Sequence, residues 1–139
     1  MEPFFWKLSY DTGLKQIDRD HRMILELANA LYTAMHSGAG RAAVLRSCQQ
    51  IVAFTEEHFS REEQYMKVSG YHRAEEHKQE HARLKEEARG LLLRLELDSP
   101  DSSTGLYQVL RELFIEHIPE CDKPFGEYYL ARSHQARQG

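Results

Sequence analysis

Apolar side chains recur every three or four positions in four separate stretches of the chain, the spacing that places them on one face of an α-helix. The clearest series alternates steps of four and three through Val44, Cys48, Ile51, Thr55, His58, Glu62 and Tyr65. The pattern predicts helices over about residues 18–37, 41–68, 72–97 and 103–121. Asp18 is the expected N-cap of the first helix, and the aromatic-rich, aperiodic residues 1–17 are expected to form an ordered N-terminal arm.

Residues that favour turns separate the four stretches. Residues 37–40 follow the first, Ser69 and Gly70 close the second, and residues 98–100 break the third, while residues 102–104 can cap the fourth. Short connections between four amphipathic helices favour an all-α, up-down-up-down four-helix bundle. We therefore expect a single domain over residues 1–139, with a C-terminal extension after the fourth helix.

Seven metal-binding side chains interrupt the apolar faces. His58 and Glu62 lie four residues apart, as do His77 and His81, so each pair shares one helix face. The donors fall near the start of the first and third helices and near the end of the second and fourth, which meet at one end of an antiparallel bundle. Burying so many ionisable groups without a cation would be costly. Seven donors exceed one tetrahedral site, so we predict a dinuclear metal centre formed by His21, His58, Glu62, His77, His81, His117 and Asp122.

One spacing does not fit a regular helix. His117 and Asp122 are five residues apart, about 140° around an ideal α-helix, so both cannot face one centre from such a helix. A kink or a π-bulge is needed. Pro119 supplies a cause, because it removes a backbone donor and clashes with the preceding turn. We expect the fourth helix to bend or end near residues 117–122.

Composition excludes several classes of protein. The formal net charge is −4, and lysines and arginines are interleaved with glutamates, so neither nucleic acid nor a membrane is an expected partner. The N-terminus lacks the basic start and apolar run of a signal peptide, which predicts a cytoplasmic protein. Cys48 and Cys121 form no CxxC pattern and are expected as reduced thiols, Cys48 as a small core residue. His36, His72 and His134 are expected at the surface.

The donors and their neighbours resemble the hemerythrins, specifically the bacterial single-domain kind, over nearly the whole chain. The matching positions are Trp6, Tyr10, Gly13, Ile17, Asp18, His21, His58, Phe59, Glu62, Glu63, Met66, Gly70, Tyr71, His77, His81, His117, Ile118 and Asp122. Two departures lie outside the donor set. Many relatives carry Trp just before the histidine of the fourth helix, where this chain has Leu113, Phe114 and Ile115, and Gly70-Tyr71 is followed by His72 rather than Pro.

The resemblance implies two iron ions (Fe2+/Fe3+) joined by an oxo or hydroxo bridge. It assigns one iron to His77, His81 and His117. It assigns the other to His21 and His58, and it has Glu62 and Asp122 bridge the two. The second iron would keep one vacant position, and dioxygen would bind there.

An apolar pocket is expected at this oxygen position. Ile24, Phe59 and Phe114 each lie within one helical turn of a predicted histidine ligand, so all three can project towards the site. An oxygen carrier must keep solvent from its bound ligand. We therefore predict that these three side chains form a dry oxygen pocket.

The expected function is reversible dioxygen binding by a non-enzymatic carrier, store or supply protein. Di-iron bundles that activate oxygen use mostly carboxylate ligands, whereas five neutral imidazoles favour reversible binding. One alternative is a sensor of oxygen, nitric oxide or redox state that acts through a separate partner, because only seventeen residues follow Asp122. Another is a di-iron peroxidase or nitric oxide reductase, although no proton-relay residue is clearly placed at the open iron and only Glu63 and Tyr65 are close to it in sequence. The sequence leaves the oligomeric state open and is compatible with a monomer.

Overall fold

Four long helical rods form the bundle in a computed structural model, which describes residues 3–97 and 102–138. A 3₁₀ turn at Leu8–Tyr10 lies in the N-terminal arm. The helices that follow are α1 (Lys15–His36), α2 (Arg41–Ser69), α3 (Ala74–Glu96), α4 (Ser102–Glu112), a π-helical segment (Leu113–Asp122) and α5 (Lys123–Gln138). Helix α1 packs on α2, α2 on α3 and α3 on α4. Helix α4 also contacts α1, which closes the bundle. The four-helix bundle predicted from the sequence is confirmed.

The first helix begins earlier than the sequence predicts. Its N-cap position is Leu14, which makes no side-chain cap, so the expectation that Asp18 is the N-cap is wrong. The Asp18 carboxylate instead accepts hydrogen bonds from Thr12 N at 2.9 Å, Thr12 Oγ1 at 2.8 Å and Gly13 N at 3.1 Å. Asp18 therefore ties the end of the arm to the first turn of α1.

The turns between helices agree with the sequence where the structure describes them. The first helix ends at His36, and the second ends at Ser69 with Gly70 in the left-handed conformation (φ 67°) that favours glycine. The break expected at residues 98–100 lies outside the described residues.

The sequence predicted that the fourth helix ends near residue 121, but in the structure helical residues continue beyond that point. Helical structure continues through the π-helical segment into α5 without a turn, because Lys123 has α-helical dihedral angles (φ −64°, ψ −47°). The expected irregularity at residues 117–122 is confirmed, and it takes the form of a π-helix with Pro119 inside it. The segment expected to be a C-terminal extension is therefore a continuation of the bundle.

The apolar core has two parts. The larger fills the bundle between α1, α2, α3 and α4, and Cys48 lies within it as predicted. The smaller covers the end where α1 begins and α2 ends, and consists of Leu14, Ile17, Met66, Tyr71 and Phe125. Here α5 meets the arm closely, since a Cβ atom added at Gly126 would overlap the carbonyl group of Thr12.

The cysteines and the histidines outside the metal centre lie as the sequence predicts, where the structure describes their side chains. Both cysteines are free thiols. His36 and His72 are exposed, as expected, while the side chain of His134 lies outside the described residues. Within the part of the chain that the structure describes, no helix is long and apolar enough to cross a membrane.

Candidate metal centre

The seven predicted donors meet at the end of the bundle where α1 and α3 begin. They are buried, with exposed fractions between 0% and 4%. Helix α1 supplies His21, α2 supplies His58 and Glu62, α3 supplies His77 and His81, and the π-helical segment supplies His117 and Asp122. The structure thus brings together the complete set that the sequence singled out.

The donor atoms form two overlapping groups, in each of which the potential ligand atoms lie within 4.8 Å of one another. The five-donor group consists of Glu62, His77, His81, His117 and Asp122. The four-donor group consists of His21, His58, Glu62 and Asp122. Because Glu62 and Asp122 belong to both groups, the arrangement suits two adjacent cations that share two carboxylates.

The π-helical segment explains how the fourth rod contributes two donors. Its i→i+5 hydrogen bonding brings residues five apart onto one face, where an α-helix would bring residues four apart. His117 Nε2 accordingly lies 3.0 Å from Asp122 Oδ1. Pro119 favours this geometry, because it has no N–H to donate to a regular α-helical ladder.

The shared carboxylates lie close to imidazole nitrogens without being fully hydrogen bonded. Glu62 Oε1 lies 2.8 Å from His77 Nε2 and 3.0 Å from His81 Nε2, and Asp122 Oδ2 lies 3.0 Å from His21 Nε2. Yet both oxygens of Glu62 and Oδ2 of Asp122 lack a partner in hydrogen-bonding geometry among the described residues. Buried carboxylate oxygens rarely lack donors. Their convergence with imidazole nitrogens fits a cation held between them.

His81 provides a second test of this fit. Its Nδ1 lies 2.9 Å from Glu63 Oε2, and because a carboxylate only accepts, Nδ1 carries the hydrogen. In the neutral ring, Nε2 then presents its lone pair 3.0 Å from Glu62 Oε1 and 3.2 Å from His117 Nε2. A lone pair in this position is favourable only when a cation, either a proton or a metal ion, lies between the atoms. The donor set therefore fits metal ions, and Glu63 orients His81 towards them.

His58 is oriented in the same way from the opposite side. Its Nδ1 donates to Asp20 Oδ2 at 3.0 Å, and Arg61 holds the same carboxylate. The sequence reasoning missed Asp20 and Arg61, because they lie 41 residues apart and only the packing of α1 on α2 joins them. Glu63 was noted only as a potential proton relay, and its contact with His81 was not anticipated.

The charges of the cluster compensate one another. Burial alone would lower the pKa of His77, but the hydrogen bond to Asp122 and the nearby carboxylate of Glu62 outweigh it and raise this pKa to about 10. Burial opposes ionisation of Asp122, but His117, His21 and His77 hold its pKa well below the usual value. Protonated imidazoles therefore balance the carboxylates when no metal is bound, and a metal ion must displace those protons.

The three predicted pocket residues are all buried, with exposed fractions of 0% for Ile24, 1% for Phe59 and 0% for Phe114. The Phe59 ring stacks on His81, with centroids 4.0 Å apart, and lies 5.8 Å from His58. The Phe114 ring packs at 5.3 Å from Phe4 and 5.4 Å from Tyr10 of the arm. Their role in gating a ligand stays a prediction.

Solvent approaches the two groups unequally. A surface cavity of about 190 Å³ reaches His77 of the five-donor group and is also lined by Tyr71, Glu80 and Cys121. His21 and His58 of the four-donor group have exposed fractions of 0%. The four-donor side is therefore the drier one.

Fold and site together define a class: a helical-bundle protein with a buried, histidine-rich centre for two cations. A family model described as "Hemerythrin HHE cation binding domain" matches residues 12–127. The bacteriohemerythrin of Stenotrophomonas maltophilia (strain R551-3) is 30% identical over 130 residues, which cover 94% of this chain and 84% of that protein. The chain belongs to the hemerythrin family.

Further comparisons agree with this assignment. The bacteriohemerythrin of Pseudomonas paraeruginosa (strain PA7) is 33% identical over 81 residues, which are 58% of this chain and 52% of that protein, so the match spans about half of that relative. A crystal structure of wild-type hemerythrin superimposes with a TM-score of 0.84 over 92% of this chain and 98% of that chain, at 22% identity. At this identity the likeness supports the fold alone.

Proposed function

We propose that this protein binds dioxygen reversibly at two iron ions, as a non-enzymatic carrier, store or supply protein. The observation that carries the proposal is the pair of overlapping donor groups, five imidazoles and two shared carboxylates, buried at one end of the bundle. Membership of the hemerythrin family supports iron as the metal and dioxygen as the ligand.

The two groups would hold the ions unequally. His77, His81 and His117 would bind one ion, and His21 and His58 the other, while Glu62 and Asp122 would bridge both. The four-donor group has one imidazole fewer, and dioxygen would therefore bind on that side. When bound, the two irons supply the electrons that dioxygen takes up and returns.

The balance of ligand types favours reversible binding over oxidation of a substrate. Carboxylate ligands stabilise the higher oxidation states that oxygen-activating di-iron bundles use. Here neutral imidazoles outnumber carboxylates by five to two in the donor set. This ligand set should keep the doubly reduced state accessible, so that the ligand can leave again as dioxygen.

The protein would also protect the ligand by keeping water away. His21 and His58 are inaccessible to solvent. Ile24, Phe59 and Phe114 are buried as well, with Phe59 stacked on His81 and Phe114 packed against the arm. Glu63, a candidate for proton delivery, is already engaged as the acceptor for His81 Nδ1. Its engagement supports a binding protein rather than a redox enzyme. A cytoplasmic location and a monomeric state stay predictions from the sequence.

The test is a cycle of anaerobic reduction and exposure to air, followed by visible absorption over several rounds. The iron-loaded protein should contain two irons per chain, and its absorption band should appear in air and disappear under vacuum. His58→Gln should reduce iron content, whereas His72→Gln, which replaces an exposed histidine, should not. One tightly bound zinc ion per chain, or catalytic turnover with peroxide or nitric oxide, would contradict the proposal.

A further inference from the structure

Asp20 is a buried carboxylate beside the metal centre whose oxygens are fully engaged. Its side chain is 3% exposed. Oδ2 accepts hydrogen bonds from His58 Nδ1 at 3.0 Å and Arg61 Nε at 2.9 Å. Oδ1 accepts from Arg61 Nη2 at 3.0 Å and from Gln16 Nε2 at 3.1 Å. The guanidinium fork of Arg61 thus holds both oxygens, and one of them faces His58.

The histidines of the centre differ in this outer support. In the part of the chain that the structure describes, Nδ1 of His21 and Nδ1 of His117 are buried without a hydrogen-bond partner. His81 has Glu63, but that carboxylate is 21% exposed and carries no bidentate arginine among the described contacts. His58 has the more rigid support, and it belongs to the group with fewer donors.

We propose that Asp20, locked by Arg61, is the positioning residue that enables the four-donor group to retain its ion. The proposal rests on the proposed two-ion function. His58 and His21 are the two imidazoles of that group, and Nδ1 of His21 has no hydrogen-bond partner among the described residues, so the fixed orientation of His58 carries more of the binding.

Asp20 can support metal binding in two ways, by fixing the tautomer of His58 and by placing a negative charge beside its ring. A carboxylate at Nδ1 keeps the hydrogen there, so that Nε2 presents its lone pair to the metal, and it makes the ring a stronger donor. Both oxygens of Asp20 accept hydrogen bonds from the Arg61 guanidinium, and this ion pair favours the charged form of the carboxylate. Arg61 balances this charge, which would otherwise be costly to bury, and fixes its direction through two parallel hydrogen bonds.

The test is metal retention at buffered free zinc and cobalt(II) concentrations. The parent chain should hold two ions. Asp20→Asn keeps the shape but loses the charge, and it should weaken one ion by roughly 10- to 100-fold while the other ion is held as in the parent. Arg61→Met should weaken the same ion by less. Glu57→Gln is the matched control, because Glu57 lies 3.9 Å from Arg61 and is 66% exposed, and it should leave both ions unchanged.

Two further measurements separate positioning from a general loss of stability. In a His58→Gln background, Asp20→Asn should have no further effect on metal affinity, because the residue acts through His58. In the zinc-loaded chain, nitrogen NMR should show His58 protonated at Nδ1. Equal weakening of both ions, no weakening at all, or an unchanged effect of Asp20→Asn in the His58→Gln background would overturn the inference. A parent chain that holds fewer than two ions would instead refute the proposed function.

Discussion

The metal-free protein should lose stability against unfolding as the pH rises from about 6.5 to 8.5. The reason is His77, whose pKa is raised to about 10 because the carboxylates of Asp122 and Glu62 lie against its ring and outweigh the effect of burial. The pKa of His117 is raised as well, against the effect of burial, mainly by the charge of Asp122. Both imidazoles bind protons more tightly in the folded chain than in the unfolded one.

The sign and size follow from linkage. A raised pKa contributes stability that is fully present below the unfolded value near 6.5 and is lost as the pH rises towards the folded value of about 10. For His77 alone, the free energy of unfolding should fall by about 2 kcal/mol between about pH 6.5 and 8.5. In a chain of 139 residues this corresponds to roughly 4–8 °C in melting temperature.

The carboxylates and the buried thiol of the core change charge largely outside the range from pH 6.5 to 8.5. The carboxylates of Asp122 and Glu62 have lowered pKa values and contribute constantly above about pH 5. Burial raises the pKa of the Cys48 thiol to about 11, whereas an unfolded thiol is half ionised at about pH 8.5, so its contribution appears only at the upper edge of the window.

The assay is thermal unfolding of the metal-free and the zinc-loaded chain, followed by circular dichroism between pH 6.5 and 8.5. The metal-free chain should melt lower as the pH rises. The zinc-loaded chain should not, because the metal keeps the imidazoles unprotonated throughout. His77→Gln should remove most of the decline, whereas His72→Gln should retain it. A metal-free melting temperature that is constant or rises over this range would refute the reasoning.

Three other substitutions test the centre. Glu62→Ala removes a member of both donor groups, so it should lower the metal content more than His21→Ala, and equal metal contents by elemental analysis would contradict this order. Phe114→Ala should speed autoxidation, followed by visible absorption, while both irons remain bound, and an unchanged rate would remove Phe114 from the pocket. Pro119→Ala should stabilise the metal-free chain by up to about 3 kcal/mol in thermal unfolding, because alanine restores a regular helix. The same change should weaken metal binding, because a regular α-helix would turn Asp122 away from the centre. Unchanged metal affinity would contradict the assigned role of the π-helix.

The donors of the centre could be predicted because their spacing is a local property of helices. Two side chains four residues apart share a helix face whatever the helix packs against. The alternation of chain direction in an antiparallel bundle then determines which helix ends meet. The convergence of His21, His77 and His117 therefore needed no information beyond the order of the helices and the position of each histidine within them.

The outer contacts of the centre could not be predicted in this way. Asp20 is adjacent to His21 in sequence but accepts a hydrogen bond from His58. Both His58 and its second partner, Arg61, lie on α2, whereas Asp20 lies on α1. Such contacts depend on the rotation of α1 and α2 about their axes, which an apolar stripe defines only to within a residue or two. Surface-type residues such as Arg61 carry no periodic signal at all, so their role appears only once the helices are packed.

The π-helical segment lies between these two cases. The five-residue spacing from His117 to Asp122 conflicts with a regular helix, and the conflict itself predicted an irregularity. The sequence did not predict that helical structure would resume at Lys123, because a proline more often ends a helix than widens one turn of it. An apolar contact beyond Asp122 favours the continued helix. Phe125 is fully buried, packs against Tyr71 and lies near His77, so the continued helix covers the metal centre with an aromatic side chain. The same segment thus widens its turn to present two donors and then resumes to shield them from water.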